Sequence, residues 1–122
     1  MIRQFVLAAL AAGISVAASV PAAQAEDGKA LFEKNCGTCH SVKAGEMRQG
    51  PSLHGVVGRK AGKLEGFKYS AALAAADWTW NAEMLDKWIT DPHDVLPDTV
   101  MMYQQDDPAI RAAIIGYLET QK

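Results

Sequence analysis

The sequence predicts an all-α domain, on three observations. Apolar residues recur at helical spacing in three separate stretches: Leu31, Phe32 and Cys36; Met84, Leu85, Trp88 and Ile89; and Ile110, Ile114, Tyr117 and Leu118. No run alternates apolar and polar residues as a half-buried strand does. The chain has 122 residues and no internal repeat, a length suited to one small domain.

The first segment stands apart from that domain. Arg3 is a short positive region, Phe5 to Val20 is nearly all Ala, Leu, Ile and Val, and Ala23-Gln24-Ala25 fits a small-x-small cleavage site. Residues Met1–Ala25 therefore read as a secretory signal peptide. The alternative is an uncleaved anchor, but the apolar core is short and no later segment is apolar enough to span a bilayer. Glu26–Lys122 then forms the domain, and a core of that size is marginal without a staple.

Within the domain, Asp27 is a candidate cap for the first helix, which carries Leu31, Phe32 and Cys36. Gly28 lies one turn from Phe32, and a small residue there lets another helix cross closely. Ser41 to Gly66 holds seven glycines or prolines at short intervals and reads as a long loop of the kind that wraps something. Tyr69 to Ala76 is Ala-rich and reads as a short helix. Asn81 caps the next helix, with Glu83 in its first turn and Pro92 at its end. Asp91 to Val100 reads as a loop broken by Pro92 and Pro97. Asp107-Pro108 opens the last helix as cap and first-turn proline.

The most specific feature is Cys36-Gly37-Thr38-Cys39-His40. Cys-x-x-Cys alone suits a dithiol redox pair, half a zinc site or a disulfide. Zinc needs a second ligand pair, yet there are only two cysteines, and His54 and His93 are isolated. A thioredoxin-like pair needs a βαβ pattern, which is missing. The immediate His40 selects c-type haem. Two thiols one helical turn apart can each form a thioether to one ring, and His40 then lies under the iron as proximal ligand. Export agrees with this, because bacterial c-type haem is attached outside the cytoplasm, and a covalent haem is also the apolar staple that a small core needs.

An electron-carrying haem wants a sixth ligand, and a thioether opposite His raises the potential. Met84 sits among core residues at helical spacing. Met47 follows the haem motif closely, and Met101 and Met102 lie in a loop far along the chain, so spacing alone leaves the choice open.

Charge is lopsided. Glu26 to Ser70 carries eight Lys/Arg and five Asp/Glu, whereas Ala71 to Lys122 carries three and nine. Nothing resembles a basic stripe for nucleic acid, and the resulting dipole would orient docking partners.

Taken together, these stretches resemble the small class I cytochromes c of bacteria and mitochondria. The likeness runs from about Gly28 to Leu118. It rests on Gly28 and Phe32; Cys36 to His40; Gly50-Pro51-Ser52-Leu53-His54-Gly55; Gly58 to Gly62; Gly66 to Ser70; Trp80; Trp88; Pro97 to Met101; and Tyr117-Leu118. The resemblance implies a small cytochrome c fold, about four to five helices around one haem c bound through Cys36 and Cys39. It implies His40 and Met101 as iron ligands, Met101 lying four residues after the loop proline. Pro51 would receive the other ring N–H of His40. Arg59, Tyr69 and Trp80 would hold the haem propionates, and Gly28, Phe32 and Tyr117 would pack the first helix on the last.

Departures from the family pattern cluster on the Met101 side. Asp98 stands where glycine usually follows the proline, which suggests a turn that is either strained or differently built. Trp88 replaces a tyrosine often found near the methionine, so any hydrogen bond there would come from an indole N–H. Where many members carry lysines around the exposed haem edge, this chain has Asn35, His93, Asp94, Val100, Asp106 and Asp107. The expected function is a soluble periplasmic electron carrier, a monomer with no catalytic residues. Its partners would be redox proteins, with docking shifted away from acidic faces. It would have no nucleic-acid partner and, once the signal peptide is removed, no stable membrane insertion. The rival readings are a haem subunit of a periplasmic dehydrogenase or oxidase, and a haem enzyme such as a peroxidase.

Overall fold

Helix boundaries mostly follow capping chemistry. The structure, a computed structural model, describes residues 13–16 and 22–122. Among them lie five helices: α1 (Ala22–Asn35), α2 (Ala71–Ala74), α3 (Ala82–Thr90), α4 (Pro92–Val95) and α5 (Pro108–Glu119). Most of the expected signal peptide, residues 1–12 and 17–21, lies outside the described residues.

The caps of α3 and α5 are those the sequence predicts. Asn81 accepts from the Met84 N–H at 2.7 Å, and Asp107 accepts from the Ala109 N–H at 2.8 Å, with Pro108 opening the helix. Two expectations need correction. Asp27 is not the cap of α1, which begins at Ala22; the alanines ahead of Asp27 have high helix propensity and carry the helix back through it. Asp91 to Val100 is not all loop either. Asp91 accepts from the His93 N–H at 2.9 Å and starts α4. Pro92 fits there because a first-turn residue needs no N–H for a helical bond. The short Ala-rich helix is trimmed to α2, with Ser70 as its cap.

Helices α1 and α5 cross tightly, and Gly28 is the reason. A Cβ there would collide with the Ala113 carbonyl and stand 3.0 Å from the Tyr117 Cβ. Phe32 and Tyr117 then meet with ring centroids 5.5 Å apart. Around the crossing, Phe32, Leu85, Trp88, Ile89, Ile114, Ile115 and Leu118 form the buried core. Burying one such side chain contributes about 1.5–3 kcal/mol. Arg111 on α5 donates to Asp86 on α3 at 2.7 Å and fixes the third side of the frame.

Residues 41–70 contain no helix. Their backbone groups pair instead with distant strands of chain: Leu53 N–H to the Ser41 carbonyl at 2.8 Å, Gly58 N–H to Trp80 at 2.7 Å and Ala61 N–H to Trp78 at 2.9 Å. The last two bring 58–61 beside 78–80, where Lys60 and Thr79 form an isolated antiparallel bridge. The loop thus links the end of α1 to the segment that precedes α3.

Candidate haem site

The Cys36–His40 turn grows from the end of α1. The Cys36 N–H donates to the Phe32 carbonyl at 2.7 Å and the His40 N–H to the Cys36 carbonyl at 2.9 Å, so helical bonding continues through the motif. Both thiols are free and half-buried. Burial, with a smaller push from Cys39, raises the Cys36 thiol to about 11. The Cys39 Sγ lies 3.0 Å from the Gln49 Oε1.

His40 is held from several sides. Its Nδ1 is 2.8 Å from the Pro51 carbonyl oxygen. A carbonyl can only accept, so Nδ1 carries the proton and Nε2 keeps its lone pair. A Cβ on Gly50 would collide with the imidazole, so only glycine lets the backbone lie against that ring. The Gly50 N–H also bonds the Cys39 carbonyl at 2.8 Å, and Arg48 reaches the Gly37 carbonyl at 2.5 Å. Burial pushes the His40 pKa down, opposed by the Pro51 bond and helped by nearby Arg59. The lowered pKa favours the neutral imidazole, the form that ligates a metal.

The stretch 96–107 is built differently. The Thr99 N–H bonds the Leu96 carbonyl at 3.0 Å, closing a turn with Pro97 and Asp98 at its centre. No non-glycine residue has a positive φ among the described residues. The turn is therefore of the type I kind, which needs no glycine at its third position. Of the two expectations for Asp98, the structure has the differently built turn and not the strained one. Beyond the turn, exposure alternates: Thr99, Met101, Tyr103 and Gln105 face inward, while Asp98, Val100, Met102, Gln104 and Asp106 face out. Met102 is 79% exposed, whereas Met101 packs against the core. The Trp88 Nε1–H donates to the Met101 Sδ at 3.1 Å.

The other sulfur and imidazole candidates are engaged elsewhere. The Met47 Sδ accepts from the Ser52 N–H at 3.3 Å, on the His40 side. Met84 packs on the core. His54 Nδ1 donates to the Val42 carbonyl at 3.2 Å, and His93 sits near Asp91.

Arg59, Tyr69 and Trp80 occupy a third region. Arg59 donates to the carbonyls of His54 at 3.2 Å and Ser52 at 3.0 Å, while its Nε is buried without a partner. Burial lowers the Arg59 pKa, and Tyr69 partly restores it. Tyr69 packs edge-on against Phe67 at 4.9 Å. Trp80 is buried in a cluster with Trp78 and Trp88, its centroid 5.7 and 5.3 Å from theirs. Trp78 is the residue that sequence reasoning missed. Its Nε1 is also buried without a partner. The signal was Trp-Thr-Trp: in extended chain, residues two apart share a side.

These residues fit a haem. Two half-buried thiols stand one turn apart beside an imidazole with a free Nε2 lone pair. Two buried N–H donors, on Arg59 and Trp78, lack protein acceptors, and buried donors normally have one. A family described as Cytochrome c matches residues 25–122. The chain belongs to the cytochrome c family. As a cytochrome c it carries one covalently bound haem c, and Cys36 and Cys39 are its only cysteines. It is 43% identical to cytochrome c2 of Rhodopila globiformis over 105 residues, covering 85% of this chain and 99% of the relative. It is 46% identical to cytochrome c2 iso-2 of Magnetospirillum fulvum over 86 residues, covering 70% of this chain and 90% of the relative. Cytochrome c 2.1 of Caenorhabditis elegans is 36% identical over 103 residues, covering 84% and 93%. No helix among the described residues is long and apolar enough to cross a membrane.

Proposed function

We propose that this cytochrome c is an exported periplasmic one-electron carrier, with the haem iron held between His40 and Met101. The observation that carries the ligand assignment is the contrast between adjacent methionines. Met101 faces inward with an indole N–H on its sulfur, whereas Met102 faces solvent. On the opposite side, His40 directs Nδ1 to Pro51 and keeps Nε2 for the metal. When bound, the haem supplies a ferric–ferrous couple at a potential set by its ligands and surroundings. The chain's own residues attach it, orient the two ligands and limit water. Arg59, Tyr69 and Trp80 are the residues proposed to face the propionates, and Trp78 joins them through its unpartnered N–H.

Export is supported by the Met1–Ala25 pattern and by the likeness to cytochromes c2 of Rhodopila globiformis and Magnetospirillum fulvum. Cleavage after Ala25 would cut α1 short and leave Asp27 in its first turn, where a carboxylate suits the helix dipole. The mass of the mature protein from periplasm checks this: it should begin at Glu26. The carrier would act as a monomer that meets successive redox proteins. A redox titration should follow a single one-electron Nernst curve, with rapid exchange and negligible peroxide turnover. Sustained peroxide consumption by the purified protein would contradict the carrier reading.

A further inference from the structure

The Met101 segment carries an ordered surface on its outer side. Asp98, Val100, Met102, Gln104 and Asp106 alternate with inward residues, so all five face solvent. Val100 and Met102 are 80% and 79% exposed, two apolar side chains side by side with no role in the core. A carboxylate stands at each end, and neither Asp98 nor Asp106 forms an ion pair among the described residues. The two ends are at most about 26 Å apart along extended chain. Between Trp88 and Ile110 there is no Lys or Arg. An apolar centre flanked by charge is the anatomy of a protein interface rather than of inert surface.

We infer that this strip is the docking surface for a redox partner whose own face has an apolar centre flanked by Lys or Arg. Charge complementarity fixes the sign, because carboxylates at both ends attract a basic rim and repel an acidic one. Val100 and Met102 supply the dry contact that sets the lifetime of the encounter. The inference rests on the assignment of Met101 to the iron, since that ligand places the strip beside the redox centre.

The test uses the haem-loaded protein on gold electrodes coated with mixed monolayers. One coating carries ammonium and methyl ends, the other carboxylate and methyl ends. Electron transfer should be fast on the first and slow on the second. Asp98→Asn with Asp106→Asn should lower the ammonium-surface rate by about tenfold, the scale on which steering changes encounter rates. Val100→Ser with Met102→Ser should lower the rate on the mixed ammonium and methyl coating but leave it unchanged on a third coating of ammonium ends alone. Glu33→Gln with Glu119→Gln makes the same change in net charge elsewhere and should have little effect. Faster transfer on carboxylate, or an equal loss from the Glu33/Glu119 pair, would overturn the proposal. The near-red ferric band of methionine–iron ligation is recorded on every sample. A wild type that lacks the band yet prefers ammonium overturns the ligand assignment and leaves the docking surface standing.

Discussion

The two sides of the haem site are constructed on opposite principles. On the His40 side, a motif that continues α1, a glycine against the ring and the Pro51 carbonyl converge on one imidazole, while Arg48 ties the turn through the Gly37 carbonyl. On the Met101 side, a single turn and the Trp88 indole position the sulfur, and Arg111 anchors the far end through the carbonyls of Gln105 and Asp106. On the first side the thiols and the imidazole are half-buried and braced by the surrounding turn. The second leaves its outer surface to solvent. Attachment and the proposed recognition are thus separated: one side carries the thiols that hold the haem, and the other is the side proposed to supply the second ligand and meet the partner.

Removing the thiols has the largest expected effect. Cys36→Ser with Cys39→Ser should eliminate covalent haem, so that acidic organic extraction strips all colour from the protein. Retained colour would mean that the thiols do not hold the ring. Met101→Ala should leave the haem covalently attached but lower the potential by a large part of the ~0.8 V over which axial ligands tune haem. Potentiometry on the purified variant reads this directly, and an unchanged potential would remove Met101 from the iron.

Smaller changes sharpen the contrast. Gly50→Ala forces a methyl against the His40 ring and should cost about 1–3 kcal/mol, as overpacking does; denaturant melts of the holoprotein measure it. Asp98→Gly, on the other side, should cost up to about 1 kcal/mol. Its φ is not positive, so glycine adds only chain entropy to be lost. Stabilisation by that substitution would reveal a left-handed turn after all.

Much of this was legible in the sequence, and the misses are instructive. Cys36 to His40 named the cofactor because thiol spacing and the adjacent imidazole constrain each other. Asn81 and Asp107 marked their helices, since a cap requires only its own neighbours. Asp27 misled because a helix start depends on what precedes it, and here alanines do. Asp98 left two outcomes open, because the family's glycine suggested a positive φ, while a type I turn closes the same loop without one. Trp78 was missed although Trp-Thr-Trp put it on one side with Trp80, because only the fold shows that its indole N–H is buried unpaired. The alternation from Asp98 to Asp106 was present throughout, but an irregular loop gives no reason to expect a period of two.

The ferric absorption spectrum reads the sixth iron ligand directly. Wild type, Met47→Ala and Met102→Ala should all show the near-red band of methionine–iron ligation and bind cyanide slowly. Met101→Ala alone should lose the band and bind cyanide fast. Loss of the band in Met47→Ala or Met102→Ala, or its persistence in Met101→Ala, would contradict the assignment of His40 and Met101 as the ligand pair.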